Sequence, residues 1–241
     1  MIEVDNLRKR YGQRVAVDGI TFRVAGGSIT GLVGPNGAGK STTIRTLSGI
    51  VLPSSGTVRI AGFDIMTQPV EAKQRLGYVP DEPMLFEELT VAEHLAFTAR
   101  AWQVADAAER TPRLLTELDL ADRRDAFPSE LSRGMKQKLA IACALLHRPE
   151  ALVLDEPLTG LDPRAMVHMR ETIRRQASDG TAVLLSSHIL SLVEQLCTHV
   201  VVLMAGRVVA AGALAELYEA AEQGGDASLE AFVLRVTAGQ P

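Results

Sequence analysis

The chain has 241 residues, 46% of them hydrophobic and 22% charged, with a formal net charge of −4. That length can bury a core without cross-links, and the composition is that of a globular protein with no repeat, heptad array or low-complexity tract. The mildly acidic balance gives no overall electrostatic footprint for nucleic acid, although a local basic patch can hide within it.

The opening "MIEVDNLRKR" has no apolar run behind its charges, which argues against a signal peptide. Residues 2–24 alternate apolar and polar side chains, predicting antiparallel strands with one wet face, and "TVRIAG" at 57–62 has the same pattern. Four short runs are apolar on both faces: "SITGLVG" at 28–34, "ALVLD" at 151–155, "TAVLLSS" at 181–187 and "HVVVLM" at 199–204. Such runs predict a parallel sheet covered by helices.

The first of these runs leads straight into "GPNGAGKST", where Gly34, Gly39, Lys40 and Ser41 fit G-x-x-x-x-G-K-[ST] between a strand and a helix. In that context the glycines let backbone N–H groups turn inward around phosphates, and the helix N-terminus adds partial positive charge. Lys40 neutralises phosphate oxygens and Ser41 offers a hydroxyl to Mg²⁺. A glycine-rich turn without a ligand is the alternative, and the flanking strand and helix argue against it.

Residues 90–147 are helical in pattern, opening with Thr90 as cap and Glu93 placed as in a capping box, and Pro149 closes the region. Within it, "LSRGMKQKL" at 131–139 caps a helix with Ser132, and Met135, Leu139, Ala142 and Leu146 form its apolar stripe. Gly134 in the first turn costs about 1 kcal/mol against alanine. Close approach to the backbone there, by a phosphate at the helix N-terminus, would account for it. Cys143 and Cys197 stand alone in apolar helical patterns, predicting buried free thiols suited to a reducing cytoplasm.

The strand "ALVLD" ends in the acid pair Asp155 and Glu156. Beside a phosphate loop, Asp155 is placed to hold Mg²⁺ through its water, and Glu156 to orient or deprotonate the attacking water. A strand-terminal acid capping the next helix is the other possibility. His188 follows "TAVLLSS" and emerges at the same sheet edge, within reach of a γ-phosphate. His94, His147, His168 and His199 have no such address and are assigned to surface or core, and Cys197 with His199 is too small a set for a metal site. The richest apolar stretch, "HVVVLMAGRVVAAGALA", is interrupted by Arg207 and glycines short of a membrane span, so a soluble chain is expected.

Taken together and in this order, the motifs resemble those of ATP-binding cassette (ABC) ATPases over residues 1 to about 212. "GPNGAGKST" resembles the Walker A loop, "LSRGM" the signature, "LVLDE" the Walker B strand, "LTGLD" the D-loop, and His188 the switch histidine. The resemblance implies an α/β P-loop NTPase (RecA-like) core with an N-terminal antiparallel β-subdomain and a helical insert at about 81–149. A short helical tail would follow at 213–241. It places ATP on Gly34, Pro35, Asn36, Gly37, Ala38, Gly39, Lys40, Ser41 and Thr42, with Mg²⁺ on Ser41 and Asp155. Tyr11 resembles the aromatic that stacks on adenine, or is an ordinary strand aromatic. Asp162 resembles the D-loop acid that crosses a dimer interface, or is an N-cap before Pro163.

In that family two cassettes pack head to tail, so Ser132 and Gly134 would contact the γ-phosphate held by the other subunit's Lys40 and Ser41. The chain departs from the pattern at three positions. Arg133 replaces a signature glycine, Met135 replaces its glutamine, and Asp81 in "LGYVPDEP" replaces the Q-loop glutamine, a Mg²⁺ and water contact. A carboxylate at 81 still meets Mg²⁺, though it is shorter and charged. Asp81, the Gly-Met signature ending and the tail "SLEAFVLRVTAG" resemble a bacterial branch that pairs with separate membrane subunits, mostly as exporters. The expectation is a homodimeric ATPase subunit, peripheral on the cytoplasmic face of the membrane. It would drive a separate polytopic permease through a groove around residues 81–103. A non-transport cassette acting on nucleic acid or the ribosome is the alternative. It lacks support, because the chain carries neither long heptad insertions nor a second linked cassette.

Overall fold

The alternation along residues 2–24 becomes a hairpin of β1 (Ile2–Tyr11) and β2 (Arg14–Val24), described in a computed structural model that covers residues 1–223 and 228–238. There follow β3 (Ile29–Val33), α1 (Lys40–Leu47), β4 (Ser55–Ile60), β5 (Phe63–Asp64), α2 (Pro69–Gln74) and β6 (Leu76–Val79). The middle of the chain holds α3 (Val91–Ala101), α4 (Ala107–Glu117) and α5 (Arg133–Leu146), with single 3₁₀ turns at Ala121–Arg123 and Pro128–Glu130. The remainder is β7 (Ala151–Leu154), α6 (Pro163–Ser178), β8 (Ala182–Ser186), α7 (Leu190–Leu196), β9 (His199–Met204), β10 (Arg207–Ala213), α8 (Leu214–Gln223) and α9 (Leu229–Ala238). Of the tail expected over 213–241, residues 224–227 and 239–241 lie outside the described residues.

Two sheets result. The first is antiparallel in the order β2-β1-β4-β5, and the second runs β10-β9-β3-β8-β7-β6. In the second, β6, β7, β8, β3 and β9 pair in parallel and only β10 is antiparallel, so all four doubly apolar runs lie side by side as expected. The wet face of the first sheet is kept by a double irregularity. Asn6 at φ 46° adds a residue to β1 and Gly19 at φ 71° adds one to β2, so Leu7 pairs with Ile20 and both face the core.

Three strands lie outside the expected runs: β6, β10 and the two-residue β5. β6 reads "LGYV", too short for alternation to register, and its glycine serves a close approach: a Cβ on Gly77 would stand 2.9 Å from the Ala144 carbonyl of α5. β10 lies inside the apolar stretch of the sequence, which turns back on itself at Ala205 and Gly206, both at positive φ (47° and 78°). The stretch is therefore a hairpin followed by a helix.

One core lies between the two sheets with α1 inside it, built from Ile2, Leu7, Ile20, Ile44, Leu47 and Leu203. The other joins the helices to the second sheet through Leu95, Leu118, Leu139, Ile141, Val183 and Leu185. The capping box at the head of α3 forms as expected, with Glu93 N–H donating to Thr90 Oγ1 (3.2 Å) and Thr90 N–H to Glu93 Oε2 (2.8 Å). Leu95 on α3 is fully buried. Leu95→Ala is therefore expected to destabilise the nucleotide-free protein by about 2–5 kcal/mol, read as a lower urea midpoint at unchanged slope.

Candidate functional site

The buried strand β3 delivers the chain at Val33 into a loop where side chains are excluded. A Cβ on Gly34 would collide with the Leu203 carbonyl, and one on Gly39 would stand 2.7 Å from the Ala16 carbonyl. Gly39 takes φ 107° as the residue before α1. It offers no side-chain cap, and the first turn of α1 carries no acid. By contrast α3, α5 and α6 are capped by Thr90, Ser132 and Asp162. The N-terminal N–H groups of α1 are thus left to an external anion. Lys40, 8% exposed, folds its ammonium back onto the Gly34 carbonyl (2.6 Å) and the Pro35 carbonyl (3.2 Å). Burial holds its pKa below the usual lysine value, while Glu156 and Asp155 oppose that shift.

Across the cleft, parallel pairing of β6, β7 and β8 brings three strand ends together. Asp155, 6% exposed, accepts a 2.6 Å hydrogen bond from Ser186 Oγ, which in turn accepts the Glu156 N–H at 2.9 Å. Burial pushes the Asp155 carboxyl above its usual pKa, the Ser186 hydroxyl pulls it down, and the nearby charges of Asp81 and Glu156 push it up further. Glu156 sits at φ 49°, a left-handed conformation uncommon outside glycine, asparagine and aspartate. Its Oε2 receives Thr159 Oγ1 at 3.3 Å and lies 2.9 Å from His188 Nδ1. An ionised carboxylate only accepts, so this contact places a proton on Nδ1.

One cleft of about 510 Å³ has walls that include Tyr11, Arg14, Asn36, Gly37, Gly39, Lys40, Ser41, Thr42, Asp81, Glu156 and His188, while the buried Asp155 does not itself line it. Tyr11, half exposed at the end of β1, has Lys9 Nζ 4.9 Å from its ring centre. Asp155 feels the negative charge of Asp81 and Glu156, a repulsion that a divalent cation would relieve, and with the Ser41 hydroxyl these carboxylates would offer hard oxygen donors of the kind Mg²⁺ takes. The residues present fit that ion.

Of the other expected residues, Gly34, Pro35 and Ala38 belong to the same loop without lining the cleft, and the signature and D-loop residues lie elsewhere. Ser132 and Gly134 are not among the residues lining this cleft, nor is Asp162. Ser132 Oγ accepts the Met135 N–H at 3.2 Å, so its oxygen is already engaged and its proton is left to donate. The close neighbour of Gly134 within the chain is Leu161, whose Cδ2 would be 3.2 Å from a Cβ. Asp162 caps α6 by accepting the Ala165 N–H at 2.9 Å.

Ser186 and Thr159 were missed from sequence. The hydroxyl pair closing "TAVLLSS" was the available signal for Ser186, since a polar residue at the end of a doubly buried strand needs a partner. The other histidines lie in the core or at the surface: His94 is buried between the Thr90 carbonyl and the Phe86 N–H, His147 lies against the Leu76 carbonyl, His168 against the Glu117 carbonyl, and His199 is exposed. Both cysteines are free, and burial pushes the Cys143 thiol to about 11 and the Cys197 thiol to about 12.

Comparison with known proteins points to one family. The ABC transporter family model matches residues 17–159. The chain is 40% identical to the Nod factor export ATP-binding protein I of Cupriavidus metallidurans, over 91% of this chain and 73% of that one. It is 36% identical to the linearmycin resistance ATP-binding protein LnrL of Bacillus subtilis, over 97% and 75%. Its fold is similar to a solved ATP-binding subunit of an ABC transporter, with a TM-score of 0.91 and 38% identity over 98% of this chain and 99% of that one.

Proposed function

The chain belongs to the ABC transporter family as an ATP-binding, ATP-hydrolysing subunit, and from that premise we propose that two copies clamp two ATP–Mg²⁺ between them and drive a separate transmembrane permease in export. The observation that carries the two-copy arrangement is an incomplete site. The cleft around Lys40 draws on the phosphate loop and three strand ends, while Ser132, the other turn suited to phosphate, is exposed and outside it. A second copy packed head to tail supplies the missing wall.

Within each site Lys40 and the N-terminus of α1 hold the phosphates, and Tyr11 stacks on adenine. Ser41, Asp155 and Asp81 would hold Mg²⁺, which would supply positive charge against the phosphate oxygens. Glu156 takes the proton of the attacking water, and His188 keeps its carboxylate aimed at the reaction. Ser132 and Gly134 meet the γ-phosphate held by the other copy, and Asp162 stands near that boundary.

No helix among the described residues is long and apolar enough to cross a membrane, so motion reaches a permease by contact from the cytoplasmic face. The segment after β6 supplies a surface for it: Met84 is 94% exposed, and Phe86 and Phe97, both half exposed, meet edge to face with centroids 5.3 Å apart. His94 anchors this patch by accepting the Phe86 N–H at 3.0 Å. Exposed aromatics on a rigid base suit an apolar partner helix. Export is supported by relatives named for Nod factor export and linearmycin resistance, and these do not favour a nucleic-acid or ribosome role.

Purification from native membranes tests the partnership. A polytopic protein should accompany the wild-type chain, and its yield should fall about tenfold or more when Phe86 and Phe97 are both changed to Ala. Undiminished biological function in a membrane-free extract would overturn the transport assignment.

A further inference from the structure

Two of the residues that depart from the cassette pattern face each other. Asp81 and Arg133 are separated by 51 intervening residues, yet Arg133 Nη2 lies 3.3 Å from Asp81 Oδ1. The same guanidinium lies on the turn before α6: a Cβ on Gly160 would stand 3.1 Å from Arg133 Cδ and Nε and 3.3 Å from Cζ. Gly160 holds φ 76°, so the absence of a side chain there serves both the turn and the contact. One cation therefore touches three segments. The first is the rim of the nucleotide cleft, where Asp81 lies two residues beyond β6. The second is the head of α5, where Ser132 is the cap. The third is the loop between Glu156 and α6.

Position 81 is crowded with negative charge. Asp81 and Glu156 both add to the repulsion felt by Asp155, and both line the same cleft. The Arg133 side chain is 54% exposed and that of Asp81 46%. Ion pairs so exposed shift an equilibrium by no more than about fivefold, too little to hold the fold together. It is enough to bias the position of a half-exposed carboxylate.

We infer that Arg133 is a positioning residue for Asp81, tying the segment that carries Met84 and Phe86 to the Ser132 turn of the same subunit. The guanidinium holds the carboxylate at the rim of the cleft, where it would be available to a metal ion. Movement of the apolar patch is then transmitted to the turn that meets the second copy's phosphate, which presupposes the two-copy arrangement proposed above. The two departures act as a unit, each supplying the charge the other needs.

The test is a cycle of Arg133→Gln in the wild-type and Asp81→Asn backgrounds, read in two ways. In nucleotide-free protein, spin labels on Met84→Cys and Ser129→Cys report the distance between the two segments. The high thiol pKa values of Cys143 and Cys197, about 11 and about 12, keep the native cysteines out of the labelling reaction. Either substitution should broaden the distance distribution, and the second should broaden it no further. In steady-state hydrolysis, Arg133→Gln should lower kcat about three- to fivefold in the wild-type background and less than twofold beside Asp81→Asn, with the loss in kcat rather than in KM for ATP. The inference is overturned by an unchanged distance distribution, or by an effect of Arg133→Gln on kcat that is the same in both backgrounds. The spin-label measurement needs neither nucleotide nor a second copy, so its failure is distinct from failure of the dimer, which is read on Glu156→Gln.

Discussion

Glu156→Gln should bind ATP and Mg²⁺, lose turnover by about a hundredfold or more, and accumulate as a dimer of the 25.9 kDa chain on a sizing column. The substitution keeps the volume and hydrogen-bonding reach of the side chain but removes the carboxylate proposed to accept a proton from water. The surroundings should persist. The Glu156 N–H still reaches Ser186 Oγ at 2.9 Å, and an amide oxygen still receives Thr159 Oγ1 and His188 Nδ1. The unusual φ of 49° is held by backbone and loop contacts, among them the Thr159 N–H on the Glu156 carbonyl at 3.1 Å, and not by the carboxylate. Removing a negative charge beside the phosphate site also favours the doubly loaded state. A variant that stays monomeric with ATP and Mg²⁺ would count against both the proton-acceptor role and the clamp.

The periodic elements were legible because their physics is local. Alternation at residues 2–24 and doubly apolar runs before Gly34, Asp155 and His188 are read without knowing any neighbour, and they became the strands that carry the cleft. The loop from Gly34 to Ser41 was equally legible, since its glycines answer to steric limits within the loop. What escaped depends on partners distant in sequence. Gly77 in β6 is required by a carbonyl of α5, and Ser186 matters because parallel register sets it beside Asp155. Arg133 and Asp81 were each visible as departures, but only the packing of α5 against β6 shows that they pair. Gly134 shows the opposite limit: the close approach it implied is met within the chain by Leu161, so the glycine alone does not identify a phosphate. Capping at Asp162 likewise accounts for the acid before Pro163 without reference to a second copy.

Lys40→Ala should abolish ATP turnover, with a loss of about a thousandfold or more, because the cation proposed to meet the phosphates is lost and Arg14, which also lines the cleft, is carried by β2 and not by the phosphate loop. Lys40 is the cation buried in the loop, where partial exclusion of water strengthens its field. In the nucleotide-free chain its ammonium is satisfied by the carbonyls of Gly34 and Pro35, acceptors that a phosphate displaces without the side chain having to travel far. The stability effect has a separate sign. Alanine leaves those two carbonyls short of a donor, at about 1–3 kcal/mol, yet it also removes a charge whose burial is unfavourable, as the lowered pKa of Lys40 records. The two changes oppose each other, so the melting temperature without nucleotide should move little. Saturating ATP, which raises the melting temperature of the wild type by mass action, should no longer do so. That contrast separates a lost phosphate contact from a collapsed loop. Wild-type hydrolysis in Lys40→Ala would refute the assignment of the loop, whatever its melting temperature.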